Sequence, residues 1–181
     1  GLHVIKYFKK IKILRGTLVI NIANEQAVKS KKRFIGSDLN RVFPGKSNGN
    51  YEERLAYQMK PFIEPFDVVI DIHSTESGVS SSLIITKLSR QTKEVIKAVE
   101  PEKVLYMNTK PRTPHALISS AKVGVAFEYG KDKDKKTYTE TVQGINRLLQ
   151  HYQMIKSGVI KKNRRKTEFY EIYEKEEKSS G

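Results

Sequence analysis

Asp67-Val68-Val69-Ile70-Asp71-Ile72-His73-Ser74-Thr75 is a β-branched run of strand length that ends in polar residues. Its near-continuous apolar character fits a strand covered on both faces rather than one half open to solvent. Leu83-Ile84-Ile85-Thr86, Val104-Leu105-Tyr106 and Val123-Gly124-Val125-Ala126-Phe127-Glu128 read the same way. Between these runs the apolar spacing turns helical. Leu55, Met59, Phe62 and Ile63 predict an amphipathic helix that Pro65 stops, and Val95, Ile96 and Val99 predict another closed by Pro101. Tyr138, Val142, Ile145, Leu149 and Tyr152 step by four and three, the clearest helical stripe in the chain. Strands alternating with helices predict an α/β fold with a mixed, largely parallel sheet flanked by helices. Functional groups in such sheets gather at the carboxyl ends of the strands, where His73 and Glu128 both stand.

Outward from this frame, Val4, Ile5, Phe8 and Ile11 predict a helix ending near Gly16, and Thr17–Ala23 reads as a further buried strand. Residues 30–50 are polar and turn-rich, punctuated by Phe43-Pro44-Gly45 and Ser47-Asn48-Gly49-Asn50. Lys131–Lys136 reads as a charged loop, the basic cluster Lys161–Lys166 as a linker, and Glu168–Tyr173 as a last strand. Of 181 residues, 38% are hydrophobic, enough to bury a core, so wholesale disorder is excluded. Lysine and arginine number 34 against 20 acidic residues, a net charge of +14 that favours anionic partners without choosing among them. Cysteine is absent, which excludes a disulfide scaffold, a thiol nucleophile and thiolate metal sites. Any metal must therefore be held by His, Asp or Glu. No apolar run approaches the length of a membrane span. A cytoplasmic globular protein without a membrane partner is expected.

Three constellations carry chemistry. Asp71 precedes His73 by two residues, so both lie on one face of the strand, and the carboxylate can orient an imidazole that faces the ligand crevice. A histidine satisfied at a strand end with no ligand gives the same pattern. Arg33-Phe34-Ile35-Gly36-Ser37-Asp38-Leu39-Asn40-Arg41-Val42-Phe43-Pro44 puts two arginines, an amide and a carboxylate in one loop. Arginine grips carboxylates in bidentate fashion, so the loop suits an anionic ligand, or an internal Arg–Asp pair that holds the loop itself. Glu128, at the end of its strand, is placed to take a proton from water. His3, His115 and His151 show no ligand spacing and read as structural or surface residues. The basic residues are not interleaved with aromatics as a nucleic-acid stacking platform requires.

The order of these motifs, R-F-I-G-S-D-L-N-R-V-F-P-G, then D-V-V-I-D-I-H-S-T, then V-A-F-E-Y-G, closely resembles the succinylglutamate desuccinylase/aspartoacylase family, from Gly1 to about Ile155. The resemblance implies a zinc carboxypeptidase-like fold and hydrolysis of the amide bond of a small N-acyl amino acid or related carboxylate-bearing substrate. It implies zinc as cofactor, with His73 as one ligand and Glu128 as the residue that activates the zinc-bound water. Arg33, Asn40 and Arg41 match positions that contact substrate carboxylate or carbonyl groups. The family's G-x-H-G-x-E motif, which supplies its other ligands, does not occur here and is expected immediately upstream of Gly1. Pro114 and Ile118 stand where the aspartoacylase branch carries a tyrosine and an arginine, which argues against acetylaspartate as substrate.

Residues 1–157 are thus expected to form the catalytic domain, and 158–181 a linker and the start of a C-terminal β-domain. The sequence is compatible with a homo-oligomer. Two other functions compete. One is a catalytically inactive, carboxylate-binding member of the same fold. The other is a basic nucleic-acid-binding protein with Lys161–Lys166 as its contact patch.

Overall fold

Five of the six runs read as strands form one sheet. A computed structural model of the chain describes residues 1–75, 81–108, 115–131, 134–158 and 166–172. The strands are Val69–His73 (β1), Ser82–Ile85 (β2), Lys103–Met107 (β3), Gly124–Glu128 (β4) and Glu168–Ile172 (β5), in the spatial order β1-β4-β2-β3-β5. β1 and β4 are parallel, as are β2 with β3 and β3 with β5, while β2 and β4 run antiparallel. The mixed, largely parallel sheet expected from the sequence is therefore observed. Glu168–Ile172 joins this sheet at its edge, beside β3, with four of its five residues exposed.

Helices Leu2–Phe8 (α1), Glu25–Lys29 (α2), Tyr51–Ile63 (α3), Arg90–Val99 (α4) and Lys135–His151 (α5) complete the framework. The sheet carries a hydrophobic cluster on each face. Val125 and Phe127 of β4 and Leu83 and Ile85 of β2 pack with α1, α4 and α5 through Val4, Phe8, Val95, Val99, Val142, Ile145, Leu148 and Leu149. Each fully buried side chain of this kind contributes roughly 1.5–3 kcal/mol. On the opposite face Ala126 and the partly buried Val69 meet Ala56, Met59 and Ile63 of α3, together with Phe43, Leu117 and Ile118. This second face carries the candidate site. Gly124 makes it possible: a Cβ there would stand 2.2 Å from the Ile118 carbonyl oxygen, so only glycine lets the Leu117–Ser120 turn lie against β4.

Side-chain caps start the helices that flank the sheet's middle strands. Asn50 and Glu53 form a reciprocal capping box at α3, with the Asn50 side chain accepting from the Glu53 amide (3.1 Å) and Glu53 accepting from the Asn50 amide (2.8 Å). Ser89 caps α4, which ends at Glu100 in a left-handed turn before Pro101.

Two elements differ from expectation. α1 stops at Phe8 instead of near Gly16: the Lys10 and Ile11 amides turn to the Tyr7 and Phe8 carbonyls, and Ile11 packs partly buried against the core from outside the helix. Thr17–Ala23 is not a strand: Leu18, Ile20 and Ile22 turn inward and Thr17, Val19 and Asn21 outward, but the segment forms no ladder among the described residues. The strand alternation is present and the pairing partner is not. Two expected features, the basic cluster at 161–165 and Pro114, lie outside the described residues.

Candidate active site

The site is assembled by strand register. In the parallel ladder of β1 and β4, His73 stands directly opposite Glu128, so an imidazole and a carboxyl group meet at the carboxyl ends of adjacent strands. Just past both ends, the Thr75 amide donates to the Gly130 carbonyl (2.9 Å), which holds the two exits together. Period-two alternation puts Val69, Asp71 and His73 on the α3 side, and the Asp71 Oδ2 lies 2.7 Å from His73 Nε2.

The polar loop of residues 33–44 packs over this face. Asp38 starts a short 3₁₀ turn at Leu39–Arg41 by accepting from the Asn40 amide (3.1 Å). That turn delivers the Asn40 side chain to the centre of the site. Its Nδ2 donates to Asp71 Oδ2 (2.8 Å) and lies 2.7 Å from His73 Nε2, while its Oδ1 accepts from the Leu117 amide (3.0 Å). One amide thereby ties the loop, β1 and the turn beneath β4 together. His115 fastens the same loop from behind, its Nδ1 lying 2.8 Å from the Phe43 carbonyl oxygen, in keeping with the structural role expected of it.

The electrostatics follow from this packing. Burial raises the Glu128 carboxyl above the usual carboxylate range, and the charge of Asp71 adds to the rise. His73, Arg33 and Arg41 pull the other way without overcoming it. Burial alone would lower the His73 pKa, but the hydrogen bond and charge of Asp71, with Glu128 and Asp38 beyond, raise it. Asp71 stays below its ordinary value despite burial, because His73, Asn40 and the Ile72 amide favour its charged form. Both loop arginines favour the charged form of Glu128 through space.

Of the residues singled out from sequence, His73, Asn40 and Glu128 converge directly. Arg33 is largely exposed and grips Asp38 Oδ2 through Nε (3.2 Å) and Nη2 (2.8 Å). Arg41 is exposed and donates to the Asn40 carbonyl (2.9 Å). The internal pair weighed for this loop therefore exists, and Arg33 makes it. Ile118 is buried in the cluster beneath β4 and offers the crevice no polar group. Among the described residues no three His, Asp or Glu side chains stand together as a metal site. His73 could give a metal one ligand at most, and Asp71 and Asn40 engage its Nε2, leaving Nδ1 for that purpose.

Sequence reading missed Glu52, which is fully buried in the first turn of α3. It accepts from the amides of Ile35 (2.6 Å), Gly36 (2.9 Å) and Ser37 (3.1 Å) and from the Asn24 side chain (3.0 Å). A signal was available: the buried residues of α3 are Glu52, Ala56, Met59 and Ile63, so a carboxylate continues the apolar stripe back by one turn.

The mixed, largely parallel sheet flanked by helices is a zinc carboxypeptidase-like fold. Residues 3–152 match the family model for the succinylglutamate desuccinylase/aspartoacylase catalytic domain, and the chain belongs to this family. It is 26% identical over 148 residues to a probable aspartoacylase of Trichodesmium erythraeum (strain IMS101), a match covering 72% of this chain and 50% of that protein. Against the aspartoacylase of Danio rerio the identity is 25% over 150 residues, covering 72% of this chain and 48% of that one. The chain thus spans about half the length of these relatives. Murine aminoacylase 3 superimposes with a TM-score of 0.71 at 16% identity, over 85% of this chain and 61% of that one. A succinylglutamate desuccinylase/aspartoacylase from Rhodobacter sphaeroides gives 0.67 at 22% identity, over 84% and 50%. These likenesses bear out the expected fold. No helix among the described residues is long and apolar enough to cross a membrane.

Proposed function

We propose that this chain is the core of a zinc-dependent deacylase that hydrolyses the amide bond of a small, carboxylate-bearing N-acyl amino acid in the cytoplasm. The observation that carries this reading is the register pairing of His73 with Glu128, beside a loop that presents two arginines. Family membership supports the reaction class.

Each residue has a role that its surroundings support. Glu128, with its pKa raised, is poised to accept a proton from the attacking water and return it to the nitrogen of the leaving amine. The water oxygen forms a bond to the carbonyl carbon, the carbon–nitrogen bond breaks, and a carboxylate and an amine leave. Arg41 and Arg33 bind the substrate carboxylate or the oxygen on which charge develops, and Asp38 restrains the Arg33 guanidinium. Asn40 and Asp71 hold the imidazole of His73 in place. His73 would hold a zinc ion through a ring nitrogen, and the bound ion would supply water with a pKa lowered toward about 7.

The test is zinc content and turnover of the natural full-length protein. About one zinc per chain, lost in His73→Ala, with hydrolysis of at least one N-acyl amino acid, supports the reading. Absence of zinc after reconstitution, with retained binding of N-acyl amino acids, would instead support a carboxylate-binding relative without catalysis.

A further inference from the structure

Glu52 is an unusual place for a negative charge. It is fully buried, and its pKa lies at about 2: burial opposes ionisation, but three successive backbone amides and the Asn24 amide outweigh it. Its strongest partners are neutral amides rather than the charge of a lysine or arginine. The amides of Ile35, Gly36 and Ser37 wrap the carboxylate as a backbone nest wraps an anion, and the first turn of α3 adds its positive end. The nest therefore has its anion built in, and no external ligand is needed to order it.

The residues so ordered sit inside the site loop. Arg33 precedes the nest by two residues, and Asp38, which grips Arg33 and starts the turn carrying Asn40 and Arg41, follows it directly. Ser37 is also tied to the α3 cap, since Asn50 Nδ2 donates to its hydroxyl (3.0 Å). The backbone amides of the loop between Arg33 and Asp38 are thus gathered at three successive positions by the Glu52 side chain. We infer that Glu52 is a positioning residue, whose buried carboxylate shapes the 33–41 loop and so sets Arg33, Asn40 and Arg41 to select a carboxylate-bearing substrate. This rests on the proposed function for its substrate class, and on the nest alone for the shaping of the loop.

The selectivity is measurable as the ratio of kcat/KM for an N-acyl amino acid to kcat/KM for its C-terminal carboxamide. In Glu52→Gln a donor replaces one acceptor oxygen and faces amides that are themselves donors. The full-length variant is expected to lose at least tenfold in this ratio, mainly through KM for the carboxylate substrate. A loss of folded protein lowers both rates together and leaves the ratio unchanged. Asn24→Ser is the milder companion: serine still caps α2, but it is too short to reach Glu52, and a loss of about threefold is expected. Hydrogen exchange supplies a readout without turnover, in which Ile35, Gly36 and Ser37 amides exchange at least tenfold faster in Glu52→Gln while those of β4 keep their rates. Wild-type ratios in both variants, or unchanged exchange at the three amides, would overturn the inference. If the wild type turns over neither substrate, the deacylase reading fails. The ratio of calorimetric affinities for the same two compounds then decides whether Glu52 sets selectivity.

Discussion

Asn40 is the residue whose removal tests the assembled site most directly. Asn40→Ala deletes a donor to the Asp71 carboxylate at 2.8 Å, a contact to His73 Nε2 at 2.7 Å and the acceptor of the Leu117 amide at 3.0 Å. A hydrogen bond to a charged group contributes about 1.5–3 kcal/mol and a neutral one about 1 kcal/mol. Leu117 is 7% exposed, so its amide is left without ready access to water, which adds about 1 kcal/mol or more. Water entering the crevice recovers part of this sum, and the expected net cost is about 3 kcal/mol, read by urea denaturation at pH 7. Asn40→Asp separates the terms. It keeps an acceptor for Leu117 but sets a second carboxylate against Asp71, and adding Asp71→Asn restores a donor–acceptor pair. The double variant is expected to recover at least about 1 kcal/mol relative to Asn40→Asp alone. A cost below about 1 kcal/mol for Asn40→Ala, or strictly additive effects in the pair, would refute the claim that Asn40 ties loop, strand and turn together.

Further outcomes follow from single contacts. The Glu52 carboxyl has its pKa at about 2 in the fold, against an ordinary value of 4.5. A depressed carboxylate pKa stabilises the fold above the unfolded value and loses that contribution as pH falls through the folded one. Full linkage gives about 3 kcal/mol, lost between about pH 4.5 and 2, and Glu52→Gln is expected to flatten this part of the stability curve. Superimposable wild-type and variant slopes there would exclude it. Glu128→Gln is expected to reduce turnover by at least about 100-fold with little change in melting temperature, and near-normal activity would remove Glu128 as the base. Gly124→Ala forces a methyl against the Ile118 carbonyl oxygen at 2.2 Å and is expected to cost at least about 2 kcal/mol in thermal denaturation. Arg41→Ala removes an exposed side chain with one backbone contact, so its melting temperature is expected to stay within about 2 °C of wild type while KM rises.

The parts of this molecule legible in its sequence are those where burial on both sides leaves a continuous apolar run. β4, buried at four of its five positions, could be read this way; β1 carries the same apolar run but lies at the sheet's edge and is only partly buried along its length, and the first polar residues mark the ends where His73 and Glu128 stand. Thr17–Ala23 shows the limit: composition reports that a segment can pair, whereas pairing needs a neighbour, which local sequence does not encode. The loop was legible as chemistry but not as geometry. Two arginines compete for Asp38 at almost equal separation, and only the fold decides that Arg33 takes it while Arg41 turns to a carbonyl. Glu52 was hidden for a different reason. A glutamate in a helix reads as solvated because isolated burial of its charge is prohibitive, yet the amides that make burial tolerable belong to a loop fifteen to seventeen residues earlier. The two kinds of site residue thus differ in what specifies them. His73 and Glu128 depend on strand register, where a slip by one residue would send both side chains to the opposite face. Arg33, Asn40 and Arg41 depend on a loop path fixed by a carboxylate from another element. The strand register that pairs His73 with Glu128 should therefore survive substitutions in α3 that disturb the loop, whereas carboxylate selectivity, which depends on Arg33 and Arg41, should not.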